Sequence, residues 1–378
     1  MKNTGIDLIF KSIYKGKKVL VTGDTGFKGS LLSIWLTLLG AEVTGFSSYL
    51  PSKPCLFSVC GVEKLIKHIH GDVREHSSLN KVFAKNKFDF IFHLAAQPIV
   101  SVAYSRPRDT FETNVLGTVN VLECLRRYAN NTTAVIITSD KCYKNMGWSW
   151  GYRETDHLGG WDPYSASKAC AEIVCEAYFK SYAEDPKCGF RMVTARAGNV
   201  IGGGDWALDR IIPDCVKVWS KNKLVYVRNP QATRPWQHVL EPLSGYLWLG
   251  QKTSESAKLN GESFNFGPDY KVSESVGELI RLFSKYFGGR NKWKYLPKKD
   301  KKKESMFLKV SSDKALKYLD WYAVLSFSDS IKMTAEWYEK YYKDKDQDKD
   351  MLGFTIGQIK DYISKAQELK LAWSRVKI

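Results

Sequence analysis

The stretch that decides the fold is VLVTGDTGFKGS, Val19 to Ser30. Four residues, Val19-Leu20-Val21-Thr22, form a short β-branched apolar run. Gly23, Gly26 and Gly29 follow it, and the longer apolar segment Leu31 to Leu39 comes next. Glycines at this spacing permit a tight turn and a close approach of backbone to a pyrophosphate. The helix that begins there offers free N–H groups and the positive end of its dipole. A lone triplet of this kind is a weak signal; a strand before it and a helix after it make it a dinucleotide site, with Thr25 and Phe27 inside the turn.

Outward from this unit the pattern repeats. Short runs at Val43 to Phe46, Leu65 to His70, Phe88 to Leu94, Thr133 to Ser139 and Arg191 to Ala197 alternate with helix-length spacers. Near-continuous apolar strands separated in this way predict an α/β fold, a doubly wound parallel sheet of Rossmann type with both faces covered. After Asn199 the texture changes to Gly202-Gly203-Gly204, scattered prolines and tryptophans, and mixed short elements. The expected division is a dinucleotide-binding domain over 1–200, with 236–267 returning to it, and a smaller mixed α/β lobe from 201–235 and 268–343. A charged linker and an amphipathic helix complete it over 344–378, with Ile356, Ile359, Tyr362 and Ile363 at helical spacing.

The 378 residues carry a formal charge of +17, mostly from dispersed lysines, with one dense run from Pro297 to Lys303. That run lacks interleaved aromatics, so no nucleic-acid partner is expected, although the field favours an anionic small ligand. Eight cysteines include no CxxC pair and no zinc spacing, so free thiols and no metal are expected. Without a cleavable leader pattern or an apolar run of spanning length, a soluble cytoplasmic protein with no membrane partner is expected.

Two groups carry candidate chemistry. Tyr164 and Lys168, four apart in YSASK, share one face of a helix, where an ammonium would stabilise a phenolate that takes a hydroxyl proton while hydride leaves the same carbon. Ser139 ends the fifth strand and can hydrogen-bond the reacting oxygen, with Asp140 and Lys141 next to it at the crevice edge. Asp72 and Val73 would meet adenine, and Leu94, Ala95, Ala96 and Gln97 would let a dinucleotide lie against the fourth strand's end. The acidic ribose ligand usual after the second strand is missing from Phe46-Ser47-Ser48-Tyr49. The motif alone therefore leaves NAD and NADP open.

With these residues located, the chain resembles the extended short-chain dehydrogenase/reductases, and among them the nucleotide-sugar 4,6-dehydratases. The similarity is strongest to the branch that takes CDP-glucose. It rests on GFKGSLLSIWL, HLAAQP, TSDKCY, WGYRE, GGWDPYSASK, RAGNVIGGGDWALDRIIPD, RPWQHVLEPLSGYL and NFGP, in order and from about Lys18 almost to the end. The resemblance implies NAD as cofactor and CDP-glucose as substrate. Tyr164, helped by Ser139 and Lys168, would deprotonate the C4 hydroxyl while the C4 hydride passes to NAD+; water would leave across C5 and C6 with Asp140 as acid; the hydride would return to C6. It further implies Gln97, Asn199, Arg210, Arg234 and His238 as substrate contacts, His238 being equally readable as a helix-start histidine. A homodimer or dimer of dimers through segments near 106–129 and 162–184 is also implied.

Two departures stand out: Ser101 replaces an arginine common in the family, and the acidic ribose ligand is missing, as in the close relatives that use NAD. Where the dTDP-glucose enzymes have a glutamate base, this chain has Lys141, as its CDP-glucose relatives do. An ammonium is a poor base near neutral pH. Lys141 therefore either works in a neutral form or stabilises the enolate while another group moves the proton. The competing readings are an epimerase or another dehydratase of the same fold, and a non-catalytic dinucleotide or nucleic-acid binder. An epimerase needs only the tyrosine step and leaves Asp140-Lys141 unexplained; a binder leaves the whole constellation unexplained.

Overall fold

The computed structural model describes residues 6–269, 274–289, 292–296, 308–343 and 349–376. The lysine run at 297–303 and most of the charged linker lie outside the described residues.

Seven parallel strands make the central sheet. They are β1 (Lys18–Thr22), β2 (Glu42–Ser47), β3 (Lys67–His70), β4 (Phe90–His93), β5 (Thr132–Ile137), β6 (Phe190–Ala197) and the late strand Ser263–Phe266. Their order across the sheet is Ser263–Phe266, β6, β5, β4, β1, β2, β3. The expected doubly wound sheet is therefore present. The chain runs β1 to β3 in one direction, then returns to place β4 on the other side of β1. Ligands of open α/β sheets bind at such a reversal, outside the carboxyl ends of the strands. Gly23 follows β1 there and Leu94 follows β4.

Burial explains the apolar runs. Alternate residues of one strand feed opposite faces: Val19, Val21, Phe90, Phe92 and Val135 enter one core, while Leu20, Ile91, Ala134 and Ile136 enter the other. The first core is closed by α1 (Phe27–Leu38), by the Leu240–Glu255 helix and by the C-terminal Met351–Glu368 helix. The second is closed by helices His76–Lys85, Gly117–Tyr128 and Pro163–Tyr178. Both faces of each central strand are thus dry, which is why no polar alternation marks them.

Beyond β6 come short pairings. Val200–Ile201 runs parallel to Gln237–His238, Thr233–Arg234 antiparallel to Glu274–Ser275, and Val225–Val227 parallel to Trp293–Tyr295. The Met351–Glu368 helix is held by polar contacts inside the core. Tyr362 donates to Glu241 Oε2 at 2.7 Å, and Trp337 Nε1 donates to Thr355 Oγ1 at 2.9 Å. At the two ends of the described chain, the ring of Phe10 stacks on Trp373 with centroids 5.2 Å apart.

Candidate active site

The glycine loop is packed too closely for side chains. A Cβ on Gly29 would stand 2.1 Å from the Gly23 carbonyl oxygen, and one on Gly23 would stand 2.7 Å from Ala95 N. Gly23 also takes a φ of +76°, where side chains are strained. Gly26 caps α1 with extended backbone and no side-chain hydrogen bond, so the first-turn N–H groups are offered outward, as a diphosphate requires. The residues present therefore fit a dinucleotide, which Gly23, Thr25, Gly26, Phe27 and Gly29 would hold with Ala95 opposite.

The adenosine end reveals a group that the pattern of β2 concealed. Asp24, fully buried, accepts the Ser47 hydroxyl on Oδ1 and has Oδ2 2.7 Å from His68 Nδ1. Gly45, in the middle of β2, makes room for it: a Cβ there would stand 2.1 Å from Asp24 Oδ2. Ser47 Oγ in turn accepts from Thr25 N at 3.3 Å and from Thr25 Oγ1 at 3.1 Å. A carboxylate thus reaches the end of β2 from the glycine loop. Asp72 grips Arg74 through Nε and Nη2, the latter at 2.7 Å, and Val73 is buried with its carbonyl accepting from Asn120 Nδ2 at 2.8 Å.

At the end of β5 the chain makes a short 3-10 turn, Asp140–Cys142, whose first residue is preceded by Ser139 as cap. Ser139 Oγ donates to Asp140 Oδ1 at 2.9 Å and accepts from Lys141 N at 3.2 Å. Asp140 is buried, and among the described residues its Oδ2 has no hydrogen-bond partner. Burial raises its pKa, against the pull of Lys141, the Ser139 hydrogen bond, Lys28 and Arg234.

Tyr164 and Lys168 lie on the Pro163–Tyr178 helix, which Asp162 caps by accepting from Tyr164 N and Ser165 N at 3.0 Å each. Burial pushes the Tyr164 phenol up to about 12, while a hydrogen bond with Ser139 pulls it down. This corrects the expectation of a depressed tyrosine. The amine of Lys168 is directed to the Ile137 carbonyl at 3.4 Å, and burial lowers its pKa to about 8.

The remaining sequence candidates divide. Arg210 and Arg234 feel the cluster, Arg210 acting on Tyr164 and Arg234 on Asp140. Arg210 Nε lies 3.6 Å from Asp205 Oδ2, and Arg234 Nη1 donates to Thr233 O at 2.7 Å. Asn199 is exposed beyond β6. His238 is buried before the Leu240–Glu255 helix. Its Nδ1 accepts from Leu240 N at 3.4 Å, its Nε2 has no hydrogen-bond partner among the described residues, and burial lowers its pKa to about 3. Gln97 spends its amide inside the protein, accepting from Ile99 N at 2.7 Å and donating to Thr110 Oγ1 at 2.9 Å. Leu94, Ala95 and Ala96 are half-buried beside it. Ser101, at the family's arginine position, donates to Asp209 Oδ2. Among the described residues no three His, Cys, Asp or Glu side chains gather to hold a metal ion, and no helix is long and apolar enough to cross a membrane.

Besides Asp24, two more residues escaped the sequence reading. Lys28, within the glycine motif, brings its amine 3.3 Å from the Tyr246 hydroxyl and interacts with Asp140, Arg210 and Lys168. Tyr246, fully buried on the Leu240–Glu255 helix, also senses Tyr164 and Asp140. The available signal was a lone cation in the otherwise apolar GFKGSLLSIWL.

The chain is similar to known proteins in sequence and in fold. The CDP-glucose 4,6-dehydratase of Salmonella typhimurium is 41% identical over 94% of this chain and 99% of its own. The CDP-paratose 2-epimerase of Salmonella typhi is 25% identical over 85% of this chain and 98% of its own. In fold, the crystal structure of dTDP-glucose 4,6-dehydratase from Bacillus anthracis in complex with NAD superposes with a TM-score of 0.72. That structure is 22% identical and covers 86% of this chain and 97% of its own. The family model described as GDP-mannose 4,6 dehydratase matches residues 20–334, and the chain belongs to that family.

Proposed function

We propose that this protein is a CDP-glucose 4,6-dehydratase, an NAD-dependent hydro-lyase that forms CDP-4-keto-6-deoxy-D-glucose for deoxysugar synthesis. The observation that carries the reading is the buried Ser139–Asp140 pair beside Tyr164. An epimerase needs the tyrosine step alone, whereas loss of a C6 hydroxyl needs a second group that can enter protonated.

Bound NAD would supply the acceptor for the C4 hydride and the donor that returns it to C6. Tyr164 takes the C4 hydroxyl proton as a phenolate, a state that the neighbouring Lys168 ammonium must favour against the burial that raises the phenol, with Ser139 holding that oxygen. The 4-ketone that results acidifies the C5 proton. Asp140, its carboxyl biased toward the protonated form by burial, gives a proton to the C6 oxygen as water leaves. Lys141 faces the same turn and either accepts the C5 proton or stabilises the enolate. Arg210, Arg234 and Asn199 meet the sugar diphosphate, guanidinium forks suiting phosphate oxygens. In this reading residues 1–200 with 236–267 bind the dinucleotide, and 201–235 with 268–343 bind the nucleotide sugar.

The enzyme acts in the cytoplasm without nucleic acid or membrane, as a homodimer. Leu116 and Ile173, more than half exposed on the two helical segments assigned to the dimer, support that surface. Sedimentation of the purified protein at twice the monomer mass is the expected result.

Incubation with CDP-glucose, and in parallel with dTDP-glucose and GDP-mannose, tests the function. Product is followed by absorbance of the 4-ketone in alkali and by mass. Loss of water from CDP-glucose alone is expected; no turnover of any of them with NAD present overturns the reading.

A further inference from the structure

Lys28 stands where two ligand sites meet. It is the second residue after the uncapped Gly26, on the first turn of α1. Charged and titratable groups reach it from every side. The turn after β5 supplies Asp140, the Pro163–Tyr178 helix supplies Lys168, the loop before Ile211–Trp219 supplies Arg210, and the Leu240–Glu255 helix supplies the Tyr246 hydroxyl. One carboxylate thus faces three cations, and that carboxylate is itself biased toward its neutral form by burial. Such a cluster has an excess of positive charge that an anion would relieve, and the ligands of this site each carry a diphosphate.

We propose that Lys28 is a proton-coupled anchor for a ligand diphosphate: it holds the diphosphate as an ammonium and takes that proton from solvent as the ligand arrives. Burial and the cations Arg210 and Lys168 lower the amine's pKa to about 7 in the ligand-free protein, so at pH 8 it is mostly neutral. A dianion beside it reverses the sign of its surroundings and restores the ammonium. No bond to the ligand forms; one proton moves from buffer to Nζ. The inference rests on the dinucleotide and nucleotide-sugar reading above, and extends it by making affinity depend on pH through a residue of the glycine motif.

Both ligands offer the same chemistry, and two titration arms separate them. Nucleotide-free protein is titrated with NAD in one arm and with CDP-glucose, NAD withheld, in the other. Calorimetry is run in buffers of different ionisation enthalpy, which reads protons taken up per ligand bound. For the ligand that Lys28 meets, roughly 0.9 proton is expected at pH 8 and roughly 0.1 at pH 6. Lys28→Arg, cationic at both pH values, should bind that ligand within a few-fold of the native protein and lose the uptake. Lys28→Met should lose both the uptake and at least tenfold in affinity.

Uptake in neither arm of the native protein overturns the proposal. So does uptake that persists unchanged in Lys28→Arg and Lys28→Met, which would assign the proton to Lys168. Binding of neither ligand overturns the site reading itself, and the proposal with it.

Discussion

Arg196 and Glu172 lie fork to fork, Nη2 2.8 Å from Oε2 and Nε 2.9 Å from Oε1, both buried, joining β6 to the helix one turn beyond Lys168. Thr194 adds a hydrogen bond to Oε2 at 2.7 Å, and Thr138, directly before Ser139, donates to Oε1. Removing one charge of such a pair strands the other in a dry interior. Glu172→Gln should therefore lower stability by about 3–5 kcal/mol. Urea unfolding at neutral pH measures it; a midpoint unchanged from the native protein would remove the pair's structural role.

Asp140→Asn keeps shape but cannot deliver a proton. The tyrosine step survives, so C4 oxidation proceeds and the elimination stalls. The expected result is a kcat lower by about 10²- to 10⁴-fold, with reduced cofactor accumulating on the enzyme in near-ultraviolet absorbance. A variant with native kcat would transfer the acid role to another group.

Gly45→Ala tests how the buried carboxylate reaches the end of β2. The new methyl would occupy the place of Asp24 Oδ2, forcing Asp24 off His68 and Ser47. NAD affinity should fall at least about tenfold, since repacking strain of 1–3 kcal/mol is centred under the ribose end. Fluorescence titration with NAD reads the loss, and thermal melting confirms that the variant is folded.

Acid should destabilise the protein through His93. Buried between the hydroxyls of Thr22 (2.7 Å from Nδ1) and Thr118 (3.2 Å from Nε2), its imidazole has a pKa lowered by burial to about 3. The unfolded state binds that proton near pH 6.5, so stability is full above pH 6.5 and is lost as pH falls toward 3. Glu241 works the opposite way. Its carboxyl, raised to about 7 by burial, contributes stability below pH 4.5 that is lost as pH rises through 7. The two overlap in the native protein, and His93→Gln separates them. Between pH 4.5 and 6 its unfolding free energy should vary with pH by up to about one proton less than in the native protein. Equal slopes would contradict the buried neutral histidine.

The sheet was legible in the sequence because its strands are buried on both faces, and dry parallel strands write themselves as uninterrupted apolar runs. Tyr164, Lys168, Ser139 and Asp140 were legible because they sit at strand ends and helix starts, where local pattern and chemistry coincide. Asp24, Lys28 and Tyr246 were not. Each acquires its surroundings from segments distant in the chain, Asp24 from Gly45 and His68, and Lys28 from Tyr246, 218 residues away. Periodicity cannot report such meetings. The direction of the tyrosine shift was misread for a related reason: four-residue spacing gives a shared helix face but says nothing of burial, which here outweighs the neighbouring charge.

The stacking of Phe10 on Trp373 bears on how the chain is made. Phe10 leaves the ribosome long before its partner. Until then the surfaces of α1 and of the Leu240–Glu255 helix that receive the Met351–Glu368 helix stay open, with Trp35, Glu241 and Ser244 awaiting Trp373 and Tyr362. Vectorial synthesis thus leaves the central sheet complete in sequence but unsealed. Closure waits until the Met351–Glu368 helix and Trp373 have emerged, and a nascent chain stalled before them would present an apolar seam to chaperones.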